Sequence, residues 1–476
     1  MLYISTTGDL VALLSIIATL FYLLYSMNSI YIKDARQVLY PRNSIIFSSL
    51  FIVLLHYLLA INALFFQDVT LNDASNFIFW ANEYANINRE VLTSIDFRYQ
   101  GTVNSSSPPF SQTGYFFTVG ASLYKQFLSL FALVLGTSSF FFSCLVTSIF
   151  AISIIYFLKI CVLLNIRVLS GWIIILFGGI PGFLLITILP YREIFMILFL
   201  MMFLYYGFKF RLGGKILYLT ISVISLILFG LFHYATMAMV PFILLLVIFV
   251  PINTNFSLRK KIPIIVFISI ALIGIILSGI DDYLLSNGQV GHVADLFRSE
   301  TLYQGRTISG FIHKINNHLD VLRLVPGNGN YFWLLDSTSF LSLAKSFLQG
   351  MIYYMFKPFI WEVKSLSSLV LSLEGILRFT LIVFSIISIF KAENNKFRIF
   401  YILMLIIYFF IETIWALGTS NSGTASRHHI IAQWIVIMLG GAGMIEFIKY
   451  IISKSFDFLK GIIYKLDIPK KLTLGK

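Results

Sequence analysis

Apolar runs of roughly bilayer-crossing length recur along almost the whole chain, and clusters of Lys and Arg separate them. A helix that crosses the hydrocarbon needs about 20 mainly apolar residues, because every backbone polar group there must be satisfied within the segment. Such runs lie near Leu10–Ile30, Ile45–Phe66, Ser138–Leu158, Val168–Leu189, Ile194–Phe208, Ile216–Phe232, Met237–Val250, Ile262–Ile280, Leu366–Phe390, Ile399–Leu417 and Ile430–Ile445. The pattern predicts an all-α polytopic membrane protein with about 11 transmembrane helices, residues 1–476 forming one integral-membrane domain. Only 12% of residues are charged and 58% are hydrophobic, whereas a soluble domain carries about a quarter charged residues. A soluble enzyme, a secreted disulfide scaffold and a disordered chain are all excluded. Cys144 and Cys161 both fall in apolar runs, so neither a disulfide framework nor a Cys-based metal site is supported.

The formal net charge of +13 invites a nucleic-acid reading, and its placement argues against one. Basic clusters stand at Lys33/Arg36/Arg42, Lys159/Arg167, Lys209/Arg211/Lys215, Arg259/Lys260/Lys261, Lys391/Lys396/Arg398 and in the C-terminal tail. The positive-inside rule assigns all of them to the cytoplasm. Only an even number of crossings then fits between successive clusters. This places residues 67–137 and 281–365 outside as two large external loops. It also lays the apolar stretch 115–135 in or on the outer leaflet. The N-terminus is expected outside and the C-terminus inside, and the basic tail 449–476 should lie on anionic lipid. No nucleic-acid partner is implied.

Few groups are left to carry chemistry. The first external loop opens with Asp68 and Asp73, placed either to act as general base on a hydroxyl or to stand as solvated loop acids. Leu189-Pro190-Tyr191-Arg192-Glu193 links an ascending to a descending helix, and Gly418–His429 does the same before the last span. A helix descending from the outer face points its free N–H groups and positive dipole end outward, where an anion can bind. Arg192 and Arg427 at such ends form a candidate diphosphate cradle with His428, or else snorkel to the head groups. Arg298 and Arg306 of the second loop are further phosphate-binding candidates. Glu193, Glu362, Glu412 and His429 complete the set. Glu374 and Arg378, four apart on one helix face, should pair, whereas Glu412 has no sequence-local partner. His56 and His233 read as satisfied interior histidines. No P-loop and no His-Glu-x-x-His motif is present.

The order of these features resembles a known family. An acid-bearing external loop is followed by Pro108-Pro109-Phe110, an interfacial stretch ending in Gly136-Thr137-Ser138, and a Pro-x-Arg-Glu turn at 190–193. Over roughly residues 60–210 this is similar to the N-terminal half of the GT-C superfamily of membrane glycosyltransferases. The Lys-Pro-Phe-Ile-Trp-Glu stretch at 357–362 and the Gly-Thr-Ala-Ser-Arg-His-His run at 423–429 resemble membrane proteins of bacterial surface-polysaccharide clusters, O-antigen polymerases of the Wzy type among them. The resemblance implies a GT-C-like fold in the bacterial inner membrane and a polyprenyl-(di)phosphate-linked sugar donor. It implies a glycan or lipid acceptor and Asp73 or Asp68 as base, with Asp73 preferred for the Asp-Ala-Ser-Asn-Phe context. A chain-length regulator or a flippase would be its protein partner. The resemblance names no definite cofactor; a divalent metal is an option, against which the lack of a clear Asp-x-Asp motif counts. A lipid-linked-oligosaccharide flippase is the reading from a different class.

Overall fold

A computed structural model describes residues 6–33, 42–65, 121–135, 138–164, 171–233, 239–251, 333–336, 338–392, 394–417 and 422–466, with isolated positions 78, 81, 85, 166, 236, 316 and 419. Among these residues the regular structure is helical, without strands. In chain order the helices are α1 (Thr6–Lys33), α2 (Arg42–Phe65), α3 (Ala121–Leu135), α4 (Ser139–Leu163), α5 (Trp172–Gly179), α6 (Pro181–Ile188), α7 (Glu193–Gly213), α8 (Ile216–Phe232), α9 (Val240–Phe249), α10 (Phe340–Phe356), α11 (Leu366–Lys391), α12 (Asn395–Leu417) and α13 (Ser422–Leu466). Seven of them (α1, α2, α4, α7, α11, α12 and α13) are long and apolar enough to cross a membrane. The chain is a multi-pass membrane protein.

Local chemistry sets the helix ends. Ser138 caps α4, its hydroxyl accepting from the Phe141 N–H at 3.1 Å while donating to Asp9 of α1 at 2.6 Å. One serine thus starts a helix and ties it to its neighbour. Gly214, at φ 63°, closes α7 in the left-handed conformation that only glycine adopts readily. Ser339 and Ser365 cap α10 and α11.

Two of the expected spans look different in the structure, and a third cannot be compared. The run Val168–Leu189 is two helices of eight residues, α5 and α6, broken at Ile180–Pro181 because Pro181 lacks the N–H that would continue the ladder. The run Met237–Val250 holds the ten-residue α9. The run Ile262–Ile280 lies outside the described residues. The described part of residues 281–365, expected as an external loop, is also more than a loop. Its last section is the 17-residue α10, which packs on α11, α12 and α13 and buries Gly350, Met351, Tyr354 and Met355. In residues 67–137, also expected outside, the described helix is α3, packed on α1 and α8, with Tyr124, Lys125 and Leu128 buried.

The core has two halves. In one, α4 lies against α1, α2, α6 and α7; in the other, α13 lies against α11 and α12 and reaches α5, α6 and α7. Glycines let the backbones close up. A Cβ on Gly440 of α13 would stand 2.3 Å from the Leu381 carbonyl of α11. His56 is an interior histidine as expected, 2.8 Å from the Gly178 carbonyl and stacked on Phe150.

Candidate active site

A cluster of buried charged and imidazole side chains lies at one end of the bundle, where α6 meets α7, α12 meets α13, and α10 meets α11. Arg192 is the N-cap of α7, and Glu193 opens that helix, buried, with Oε2 lacking a partner among the described residues. An acid in the first turn is favoured by the helix dipole, whereas the preceding cation is not. Helix α13 begins at Ser422, earlier than the Gly-Thr-Ala-Ser run suggests, so Arg427 sits in its second turn. The Arg427 guanidinium lies over the Tyr191 ring, 4.9 Å from its centroid, which joins the two turns that carry the arginines. Both guanidiniums lie within electrostatic reach of His428 and His233. The Tyr124 hydroxyl closes this side, donating to the Pro190 carbonyl at 2.8 Å.

Beneath the arginines lies an aromatic and imidazole layer. His428 stacks on Trp415 with 3.9 Å between centroids, and its Nδ1 is 3.1 Å from the Thr419 hydroxyl. His233 meets the same Trp415 edge-on at 4.9 Å. The next layer is the intramembrane acid that the sequence left alone. Glu412 Oε2 stands 2.6 Å from His429 Nδ1, and His429 Nε2 stands 3.2 Å from the Tyr354 carbonyl. A carbonyl oxygen only accepts, so Nε2 must carry a hydrogen. Nδ1 and Oε2 then hold one proton between them, as neutral acid with neutral imidazole or as carboxylate with imidazolium. Glu412 Oε1 is buried without a partner among the described residues, as are both amide atoms of Gln433 one turn below His429 and the Tyr408 hydroxyl one turn below Glu412.

Beside these groups, at the level of Ser426 and Met355, lies the expected ion pair. Arg378 donates to Glu374 at 2.9 Å, both side chains almost fully buried, and Arg378 also donates to the Met355 carbonyl of α10. Glu374 accepts from the Gly182 N–H of α6 at 3.2 Å and from the Ser426 hydroxyl of α13 at 3.3 Å. Gly182 is needed there, since a Cβ would come within 2.7 Å of the Ser426 hydroxyl. On the other flank of α11 a groove of about 430 Å³ is lined by Phe356, Phe359, Ile360, Trp361, Ser372 and Ile376, among others. Glu362, beside it, caps its own short turn. It accepts from the Phe359 N–H at 3.0 Å and pairs with Lys357 at 3.0 Å.

The structure therefore brings Arg192, Glu193, Glu412, Arg427, His428 and His429 to one end of the bundle and leaves Glu362 at its edge. Asp68, Asp73, Arg298 and Arg306 lie outside the described residues. Among the described residues no three His, Cys, Asp or Glu side chains come together as a metal site. Sequence reasoning missed Tyr191, Thr419, Trp415, Gly182 and Ser426. Tyr191, Thr419 and Ser426 lie within the turns that the sequence did single out, Trp415 three residues before one of them, and Gly182 in the helix leading to the other. No protein-family model, no curated protein and no solved structure matches this chain.

Proposed function

We propose that the chain is a membrane glycosyltransferase, moving a sugar or oligosaccharide from a polyprenyl-(di)phosphate donor to an acceptor hydroxyl at the outer face of a bacterial inner membrane. The product would be cell-surface polysaccharide. The observation that carries this reading is the convergence of Arg192 and Arg427. Two membrane helices begin side by side, one with the Arg192 guanidinium at its N-cap and the other with Arg427 in its second turn, joined through Tyr191 and backed by His428. Cations are disfavoured at helix N-termini, and an anion seated there reverses the penalty. In the reaction a carboxylate, Asp73 or Asp68, takes the proton of the acceptor hydroxyl. The hydroxyl oxygen bonds to the anomeric carbon, the bond from that carbon to the phosphate oxygen breaks, and the lipid (di)phosphate leaves with the electron pair. Arg192, Arg427 and His428 stabilise the charge that develops on it. The apolar groove beside Trp361 would take the isoprenoid tail. A Wzy-type polymerase shares this leaving group and differs in taking a whole repeat unit as donor.

A second reading, translocation of the lipid-linked glycan, draws on Glu374, Arg378, Glu412 and His429, four ionisable side chains buried within spans. Proteoliposomes loaded with a polyprenyl-linked sugar pool separate the readings. Loss of one preorganised donor to a developing anion typically costs about 10²–10³-fold in kcat, and Arg427→Ala should fall in that range. Asp73→Asn should lose turnover as well. Full activity in both variants would sink the assignment. Ladder-like products indicate the polymerase, and single-sugar products the transferase. Lipid crossing without glycosidic product indicates the flippase.

A further inference from the structure

The last helix does not end where the membrane does. At about 1.5 Å per residue the 45 residues of α13 span nearly 70 Å, against about 30 Å of hydrocarbon. Helix α11 runs beside it in the same direction and shows where the bundle ends. Gly440 lies against Leu381 and Ser385, and Gly443 against Phe384. Phe447 meets Phe384 at 5.4 Å, and α11 stops at Lys391. Beyond about Phe447, α13 leaves its neighbours, and every residue from Glu446 to Leu459 is exposed.

That extension is two-faced. Phe447, Ile451 and Phe458 fall on one line of the helix, and Ile448, Ile452 and Leu459 on the line beside it, covering about half the circumference at 3.6 residues per turn. All six side chains are 44–70% exposed. Lys449 borders this apolar face on one side and Lys454 on the other, whereas Glu446, Ser453 and Asp457 occupy the middle of the polar face. In the sequence the same phase continues through Lys460, Ile462 and Ile463.

We infer that residues 446–459 form an interfacial helix whose apolar face enters the bilayer surface while its flanking lysines bind anionic phospholipid head groups, at the end of the bundle opposite the candidate active site. Three features select lipid over a second copy of the chain. The apolar face is too broad for a coiled-coil seam, which uses two positions in seven. Ser455 falls within it, where a seam would want an apolar knob. The lysines sit where their stems can follow the apolar surface and their ammonium groups can reach phosphate, with the acids held furthest from the lipid. Residues 449–476 carry seven Lys and two Asp, so the whole segment is drawn to a negative surface.

Site-directed spin labels on the full chain test the inference, with the unsubstituted protein as background because Cys144 and Cys161 are buried. Phe458→Cys and Asp457→Cys are labelled in vesicles containing phosphatidylglycerol and in vesicles of phosphatidylcholine alone. In the anionic vesicles the label at 458 should be reached preferentially by oxygen, and the label at 457 by a water-soluble nickel chelate. The contrast should shrink in neutral vesicles and in a Lys449→Gln/Lys454→Gln background. Equal access of the chelate to both labels in anionic vesicles would overturn the inference by placing the helix in water. Spin–spin broadening at 458 that disappears on dilution with unlabelled protein would overturn it in favour of a second copy. A contrast indifferent to lipid charge would overturn the role of the head groups.

Discussion

Glu412 Oε2 and His429 Nδ1 approach to 2.6 Å from facing helices, at a depth where neither side chain exceeds 2% exposure. A contact this short holds one proton between the acid and the imidazole, whichever of the two carries it. The Tyr354 carbonyl fixes which imidazole nitrogen faces the acid. The pair ties α12, α13 and α10 together within the membrane.

Removing one partner of a buried pair typically costs about 3–5 kcal/mol, because the other stays buried and unpaired. His429→Ala should show a loss in that range in thermal unfolding of the detergent-solubilised protein. Glu412→Gln, whose amide can still meet the imidazole, should lose less. Combining His429→Ala with Glu412→Ala should cost less than the two single losses together, by about 0.5–3 kcal/mol. Strictly additive losses would mean that the contact contributes nothing.

This pair also marks the limit of what the sequence discloses. Glu374 and Arg378 are legible because a spacing of four on a helix fixes their proximity whatever the tertiary structure. Glu412 and His429 are 17 residues apart across a turn, and only the packing angle of α12 on α13 makes them meet. The long spans are legible for the same local reason as the i,i+4 pair: about 20 apolar residues suffice. Hydropathy alone cannot see that Pro181 splits one apolar run into α5 and α6, or that α13 continues unbroken into the basic tail. Arg192 and Arg427 were each visible at a turn, but the contact of Arg427 with Tyr191 was not, because nothing local joins residues so far apart.

Gly440 and Gly441 are neighbours with opposite surroundings. A Cβ at Gly440 would press on the Leu381 carbonyl at 2.3 Å and the Ser385 N–H nitrogen at 2.9 Å, both backbone atoms that cannot turn aside. At Gly441 the nearest atom is a side-chain carbon 3.6 Å away. Gly440→Ala should therefore lose about 1–3 kcal/mol through overpacking of α11 on α13. Gly441→Ala should be neutral or gain up to about 1 kcal/mol, since Ala favours the helix interior over Gly. Unfolding midpoints of the two variants, measured side by side, check the contrast.

The turn at 357–362 should loosen only in acid. Partial burial pushes the Glu362 carboxyl up, but the Phe359 N–H and the Lys357 ammonium outweigh it and hold the group below its ordinary value of 4.5. A carboxylate with a depressed pKa in the folded state contributes stability that is present above the unfolded value and lost as the pH falls through the folded one. Trp361, stacked on Phe359 at 4.9 Å, reports the turn. Its emission, taken as the difference between wild type and Trp361→Phe, should hold steady down to the ordinary Glu range and change below it. In Glu362→Gln the acid transition should be absent. A transition at neutral pH would assign the change to another group.

Glu374 and Arg378 offer a way to separate a structural from a functional charge. Glu374→Leu alone leaves the Arg378 guanidinium buried beside the Met355 carbonyl with no counter-charge, and Arg378→Met alone strands the carboxylate between Gly182 and Ser426. Each should lose about 3–5 kcal/mol. Replacing both with apolar side chains removes the two desolvated charges together, and such double replacements are often neutral or stabilising by about 1–4 kcal/mol. The double variant should therefore recover most of the wild-type unfolding midpoint, short of what the Gly182 N–H and the Met355 carbonyl lose by going unpaired. Turnover in proteoliposomes then divides the alternatives. If the pair only holds α6, α11 and α13 in place, activity returns with stability. If the carboxylate or guanidinium meets a passing lipid-linked glycan, the stable double variant stays inactive, and the translocation reading gains over simple transfer.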